Sequence, residues 1–114
     1  MYSFRMSSNG FVPPAGARAA ARRGLDLVAK GKAGGGFEPA TATRARKIAA
    51  GSPLTRDHVM RMHSFFSRHA VDRKPGWGTP GKETPGYVAH QAWGGDAGAS
   101  WASGLARKLR ESGK

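Results

Sequence analysis

The stretch HQAWGGDAGASW, residues 90–101, sets two glycines and an aspartate between two tryptophans. A cyclase-like GGD sits on a hairpin between strands, whereas the same tripeptide between helices is a junction, so the flanks decide the class of fold. Upstream, Thr84 suits a helix N-cap and Pro85 the first helical position, opening a short helix through YVAHQAW. Downstream, DAGASWASGLARKLR reads as a second helix. Gly94 and Gly95 then fall just past the first helix, where positive φ is wanted, and Asp96 falls where the second wants an N-cap. GGD is read as a hinge. A glycine-rich turn before a helix can also bind phosphate through its free N–H groups, but the Asp96 carboxylate would occupy and repel that site.

Working outward, Thr55 suits an N-cap and Asp57 places negative charge in the first turn of a helix running to Ala70. Val59, Met62, Phe66 and Ala70 recur at spacings of three and four, an apolar stripe that turns Arg56, His63 and Arg68 elsewhere. This is the expected core helix. Between it and Thr84, residues 72–86 hold three prolines and four glycines, which predicts a long loop anchored by Trp77. TRARKIAAG, ahead of the core helix, carries a further helical pattern around Ile48 that ends at Gly51.

Residues 14–30, PAGARAAARRGLDLVAK, predict a helix stopped by GKAGGG, with Gly24 weakening its middle. Its apolar residues are mostly alanine, so it buries little area and is marginal without a partner surface. Residues 1–12 show no period and read as an arm that orders only against something else.

Composition bounds the partners. Lys and Arg number 19 against 7 Asp and Glu, a surplus that points to polyanions. It is uneven: +5 over residues 1–32, +5 over 33–74 and +2 over 75–114, so the first two thirds carry the field. The chain has no cysteine, which excludes disulfides, Cys-ligated zinc and thiol nucleophiles. No apolar run reaches the ~18 residues of a membrane span, and MYSFRMSSNGFVPP lacks the apolar core of a secretory signal. The expectation is a soluble, unprocessed protein with no membrane partner.

No catalytic set stands out. His58, His63, His69 and His90 form no i, i+4 pair, and no serine follows a strand at a nucleophile elbow. No metal or cofactor is expected. A hydrolase or nuclease using His63, His69 and Asp72 is the third-ranked class, behind two non-enzymatic ones. TRARKIAAGSPLTRDHVMRMHSFFSRH has the tolerable spacing of a helix-turn-helix, against an ordinary helical hairpin with a solvated basic face. On either reading Arg44, Arg46, Lys47, Arg56, Arg61, Arg68, Arg73 and Lys74 are the candidate nucleic-acid contacts, being rich in the guanidinium that suits phosphate.

With the helices placed, TRARKIAAG, RMHSFFSRHAVD and GYVAHQAWGGDAGASWA resemble a small uncharacterised module of tailed-bacteriophage proteins, found alone or attached to head and other virion proteins. The resemblance covers Thr43 to Asp72 and Gly86 to Ala102, and more loosely residues 21–37. It implies phage origin and a virion setting and brings no activity, cofactor or catalytic residue. Gln91 and Ala92 stand where more apolar residues are expected before the tryptophan.

The sequence therefore predicts a mainly α, small helical domain of about four to five helices. A basic Ala/Gly/Arg-rich arm with one helix spans 1–36, and a compact domain with its loop at 72–86 spans 37–112. Val59, Met62, Phe66, Tyr87, Trp93 and Trp101 are the expected core. The favoured function is non-enzymatic binding of nucleic acid, DNA first, in the host cytoplasm or the virion. The alternative is a virion structural or protein-interaction module, a head or capsid component.

Overall fold

The computed structural model describes the backbone of residues 6–7, 10–34, 37–69, 79–81 and 83–112. Arg73, Lys74, Asp72, Trp77 and most of the expected 72–86 loop lie outside the described residues. The fold is mainly helical: α1 (Ala15–Ala29), α2 (Pro39–Ala50), α3 (Arg56–Arg68), α4 (Pro85–Ala92) and α5 (Gly95–Ser112). Two short strands, β1 (Met6–Ser7) and β2 (Gly10–Phe11), pair antiparallel with Met6 opposite Phe11.

Local chemistry accounts for most of the helix ends. Thr55 and Thr84 cap α3 and α4 as their sequences predict, accepting from the backbone N–H of His58 at 3.0 Å and of Tyr87 at 3.1 Å. Pro39 and Pro85 stand in the first turns of α2 and α4, where a missing N–H costs nothing. Gly51 ends α2 at φ 72°, and the N–H groups of Gly51 and Ser52 donate to the Ile48 and Lys47 carbonyls at 3.0 and 3.1 Å. That paired geometry satisfies carbonyls the helix leaves open.

The end of the N-terminal arm finds its partner in the chain itself. Phe11 exchanges two backbone hydrogen bonds with Leu54, at 2.9 and 2.7 Å, and packs on the core. This pins residues 10–11 against the connection between α2 and α3.

Helix α1 finds the partner surface that its small residues require: it packs on α2, α4 and α5. Ala17, Ala20, Ala21, Gly24 and Leu27 form its buried stripe, and Ala17 and Ala21 are fully enclosed. Small residues make this possible. A Cβ placed on Gly24 would lie 2.4 Å from the Ala92 backbone nitrogen, so the absence of a side chain sets how closely α1 and α4 approach. Alanine and glycine also lose no side-chain rotamer entropy when they pack, which lets a modest buried area suffice.

The centre of the core is Ile48, Leu54, Val59, Met62, Trp101 and Leu105, with Val88 also fully buried. Val59, Met62 and Trp101 sit where the helical stripe puts them. Phe66, Tyr87 and Trp93 are only half-buried, a correction to the expected core, and Ile48, Leu54 and the α1 alanines fill the space instead. Gln91 is buried beside α1, its side-chain carbonyl accepting from the Arg23 guanidinium, which explains how a polar residue is tolerated before Trp93. Helix α2 packs chiefly on α1, and α3 on α5. No helix among the described residues is long and apolar enough to cross a membrane.

Candidate nucleic-acid interface

The GGD junction is structural. Gly94 and Gly95 take φ of 119° and 64° between α4 and α5, as the hinge reading requires. Gly94, Gly95 and Gly98 are buried: a Cβ on Gly94 would meet Gly98, Met62 and Ala17, and one on Gly95 would lie 2.8 Å from Ala20. No phosphate fits against them. Asp96 is not the N-cap expected of it. It lies within the first turn of α5, its side chain exposed and its Oδ1 3.2 Å from His90 Nε2, and the Gly94 carbonyl accepts the first α5 hydrogen bond at 2.9 Å. The second glycine already enters the helix, which moves the cap position to Gly94, two residues earlier than the side-chain pattern suggests.

The cationic and aromatic side chains gather in a different region. A concavity of about 870 Å³ lies between the α1–α2 connection, α2, α3 and α4. Arg44, Arg61 and Arg68 line it together with Phe37, Phe65, His69 and Trp93. Phe65 and Trp93 stack at 4.9 Å between ring centres and 12° between planes, and the His69 ring, at the C-terminal end of α3, lies 4.5 Å from Phe65. The Arg44 guanidinium stands over the Trp93 ring at 5.7 Å, within reach of a cation–π attraction. Glu38 contributes a carboxylate to the lining.

Arg44 is shared with a second, smaller hollow of about 410 Å³, lined also by Thr43, Lys47, Asp57 and His58. One residue of this hollow belongs to the interior. His58 is buried, and its Nε2 has no hydrogen-bond partner. Burial first, then the neighbouring charges of Arg44 and Lys47, push its imidazole down to about 4, so it is neutral at physiological pH and adds no cation to the face.

The eight predicted contacts divide accordingly. Arg44, Arg61 and Arg68 surround the larger concavity, and Arg44 with Lys47 the smaller. Arg46 and Arg56 are exposed and line neither, Arg46 donating to Thr43 Oγ1 at 3.3 Å. Arg61 donates to Asp57 Oδ2 at 2.7 Å, a hydrogen bond that holds the Asp57 carboxyl below its ordinary value. Both side chains are exposed, so the pair is weak and Arg61 can turn to another anion. Arg73 and Lys74 lie outside the described residues.

Sequence reasoning missed the aromatic lining. Phe65 could have been found, since Phe65 and Phe66 are adjacent and a helix stripe that takes Phe66 must turn Phe65 away. Phe37 and Trp93 carry no such signal, because only the helix arrangement brings them to this concavity. Among the described residues no three His, Asp or Glu side chains converge as a metal site would require. His63 lies on α3 and His69 just past its end, engaged with Phe65, while Asp72 is outside the described residues. No protein-family model, curated protein or solved structure matches this chain.

Proposed function

We propose that the protein binds nucleic acid, DNA foremost, without catalysing a reaction, and does so through the face that α2 and α3 share. The observation that carries this reading is the ring of Arg44, Arg61 and Arg68 around a concavity lined by aromatic side chains. Guanidinium groups meet phosphate oxygens with directed N–H pairs, and aromatic faces meet bases. The net charge of +12 would draw any such polyanion toward the molecule. The resemblance to a tailed-phage module supports a phage setting, in the host cytoplasm or the virion. For the alternative of a virion structural module, Phe11 is a poor apolar anchor, since it already packs on the core.

The test is binding to labelled DNA across salt, with protein purified free of nucleic acid. Log K falls linearly with log salt, at a slope of about −4 to −6 for a face of this size. Replacing Arg44, Arg46 and Lys47 together by Ala weakens binding to all duplexes alike and flattens the slope by up to about three units. Binding that vanishes by physiological salt, with head incorporation unaffected by the triple substitution, would instead favour the structural module.

A further inference from the structure

Granted the nucleic-acid reading of this face, on which this step rests, we propose that the larger concavity takes an unpaired base between the Trp93 ring and the Arg44 guanidinium, so that the preferred ligand is single-stranded. Three features converge on it. The first is the ring ladder. His69, Phe65 and Trp93 follow one another at centre spacings of 4.5 and 4.9 Å, and the guanidinium ends the row at a looser 5.7 Å. Planar groups in contact lie about 3.5–4 Å apart, so Arg44 is not seated on the ring. A base inserted there needs a gap of roughly twice that, which the half-buried, flexible Arg44 stem supplies by moving outward by one to two ångströms, on the order of the difference.

The second feature is exposure. Trp93 is half-buried although the core beside it is closely packed, so an aromatic side chain is held at the wall of an open concavity and not used to fill the interior. Ring faces recognise ring faces, and a base shows its face only when it has left the duplex stack; a duplex offers groove edges and phosphates instead. The third is the charge at the rim. Arg61 and Arg68 stand where phosphates flanking such a base would pass, while the Glu38 carboxylate accepts hydrogen bonds from a base amino group but repels phosphate. The base is thereby directed inward and the backbone toward α3.

The experiment compares fluorescence anisotropy of three labelled DNAs at one salt concentration: a short single strand, the same strand built with abasic sites, and its duplex. The base-bearing strand is expected to bind more tightly than the abasic one by roughly 5- to 150-fold per stacked base, and more tightly than the duplex. Arg44→Lys keeps the charge but loses the plane, and it should reduce the base-dependent preference several-fold; Trp93→Ala should abolish it, with circular dichroism checking that the helices persist. Equal affinity for base-bearing and abasic strands, or tighter binding of the duplex, overturns the base pocket while leaving phosphate-driven binding in place. Failure of all three DNAs to bind at low salt overturns the nucleic-acid reading itself. Adenosine monophosphate that binds more tightly than the strand would reassign the pocket to a free nucleotide.

Discussion

Where α1 crosses α4 and the start of α5, Ala17, Ala20, Gly24, Gly94, Gly95 and Gly98 bring backbones almost into contact; across α2, α3 and Trp93, long cations and large rings stand around open space. The first region stabilises the fold by proximity. Its residues present little apolar area each, but they lose no rotamers on packing and allow many dispersion contacts between main chains. The second region contributes less to the core and keeps its side chains available. Holding the fold together on one side leaves the other free to carry positive charge and half-buried aromatics, features that cost stability in a core. A protein this small can therefore present a sizeable concavity.

The two regions should respond oppositely to substitution, beginning with the seam. Met62 is fully buried under Gly94 and Gly98, and Met62→Ala should destabilise the protein by about 2–5 kcal/mol in chemical denaturation. A near-zero change would mean that the glycine junction is not supported from α3. Gly24→Ala is the sharper test because two principles disagree on its sign. Helix propensity alone predicts a gain of about 1 kcal/mol. The 2.4 Å approach to Ala92 predicts a net loss of about 1–3 kcal/mol, since the obstructing atom is backbone and cannot rotate away. A rise in Tm would show that α1 and α4 are not in close contact.

A smaller effect should come from pH. His58 titrates near 4 in the folded protein against an ordinary value of 6.5, so the unfolded chain takes up its proton first as pH falls. Its contribution is fully present above about 6.5 and is lost progressively between 6.5 and 4. His58→Leu should flatten this part of the pH–stability curve and leave stability near neutrality equal or slightly higher, because it removes an unpartnered buried nitrogen. An unchanged curve would assign the acid sensitivity to other groups. The smallest stability change belongs to the cationic face: the Arg44, Arg46 and Lys47 triple alanine variant should shift folding stability by only about 0.5 kcal/mol while changing DNA binding markedly. A large drop in Tm would place those side chains in the fold's support and blur the distinction between the two regions.

Much of this architecture was legible in the chain. The Thr55 and Thr84 caps, the glycine stop after α2, the stripe of Val59 and Met62, and the positive-φ hinge at Gly94 and Gly95 all follow from local rules, which depend on a few neighbouring residues. The candidate site was legible only in its charges. Arg44, Arg61 and Arg68 could be named from composition and spacing, but not that they would surround one concavity, and His58 could not be distinguished from the surface histidines.

By itself, then, the sequence determined helix positions, most helix ends, the absence of cysteine chemistry and the sign of the surface field, because each depends on residue identity and short-range spacing. The tertiary structure alone decided three things. It decided that Gly24 is a contact and not a weak point, that Asp96 lies inside α5 instead of capping it, and that Phe65 of α3 and Arg44 of α2 both meet the Trp93 ring at the end of α4. These outcomes depend on distances between residues remote in the chain, which no local propensity encodes; they are set by how closely small residues let helices approach and by which faces that approach leaves uncovered.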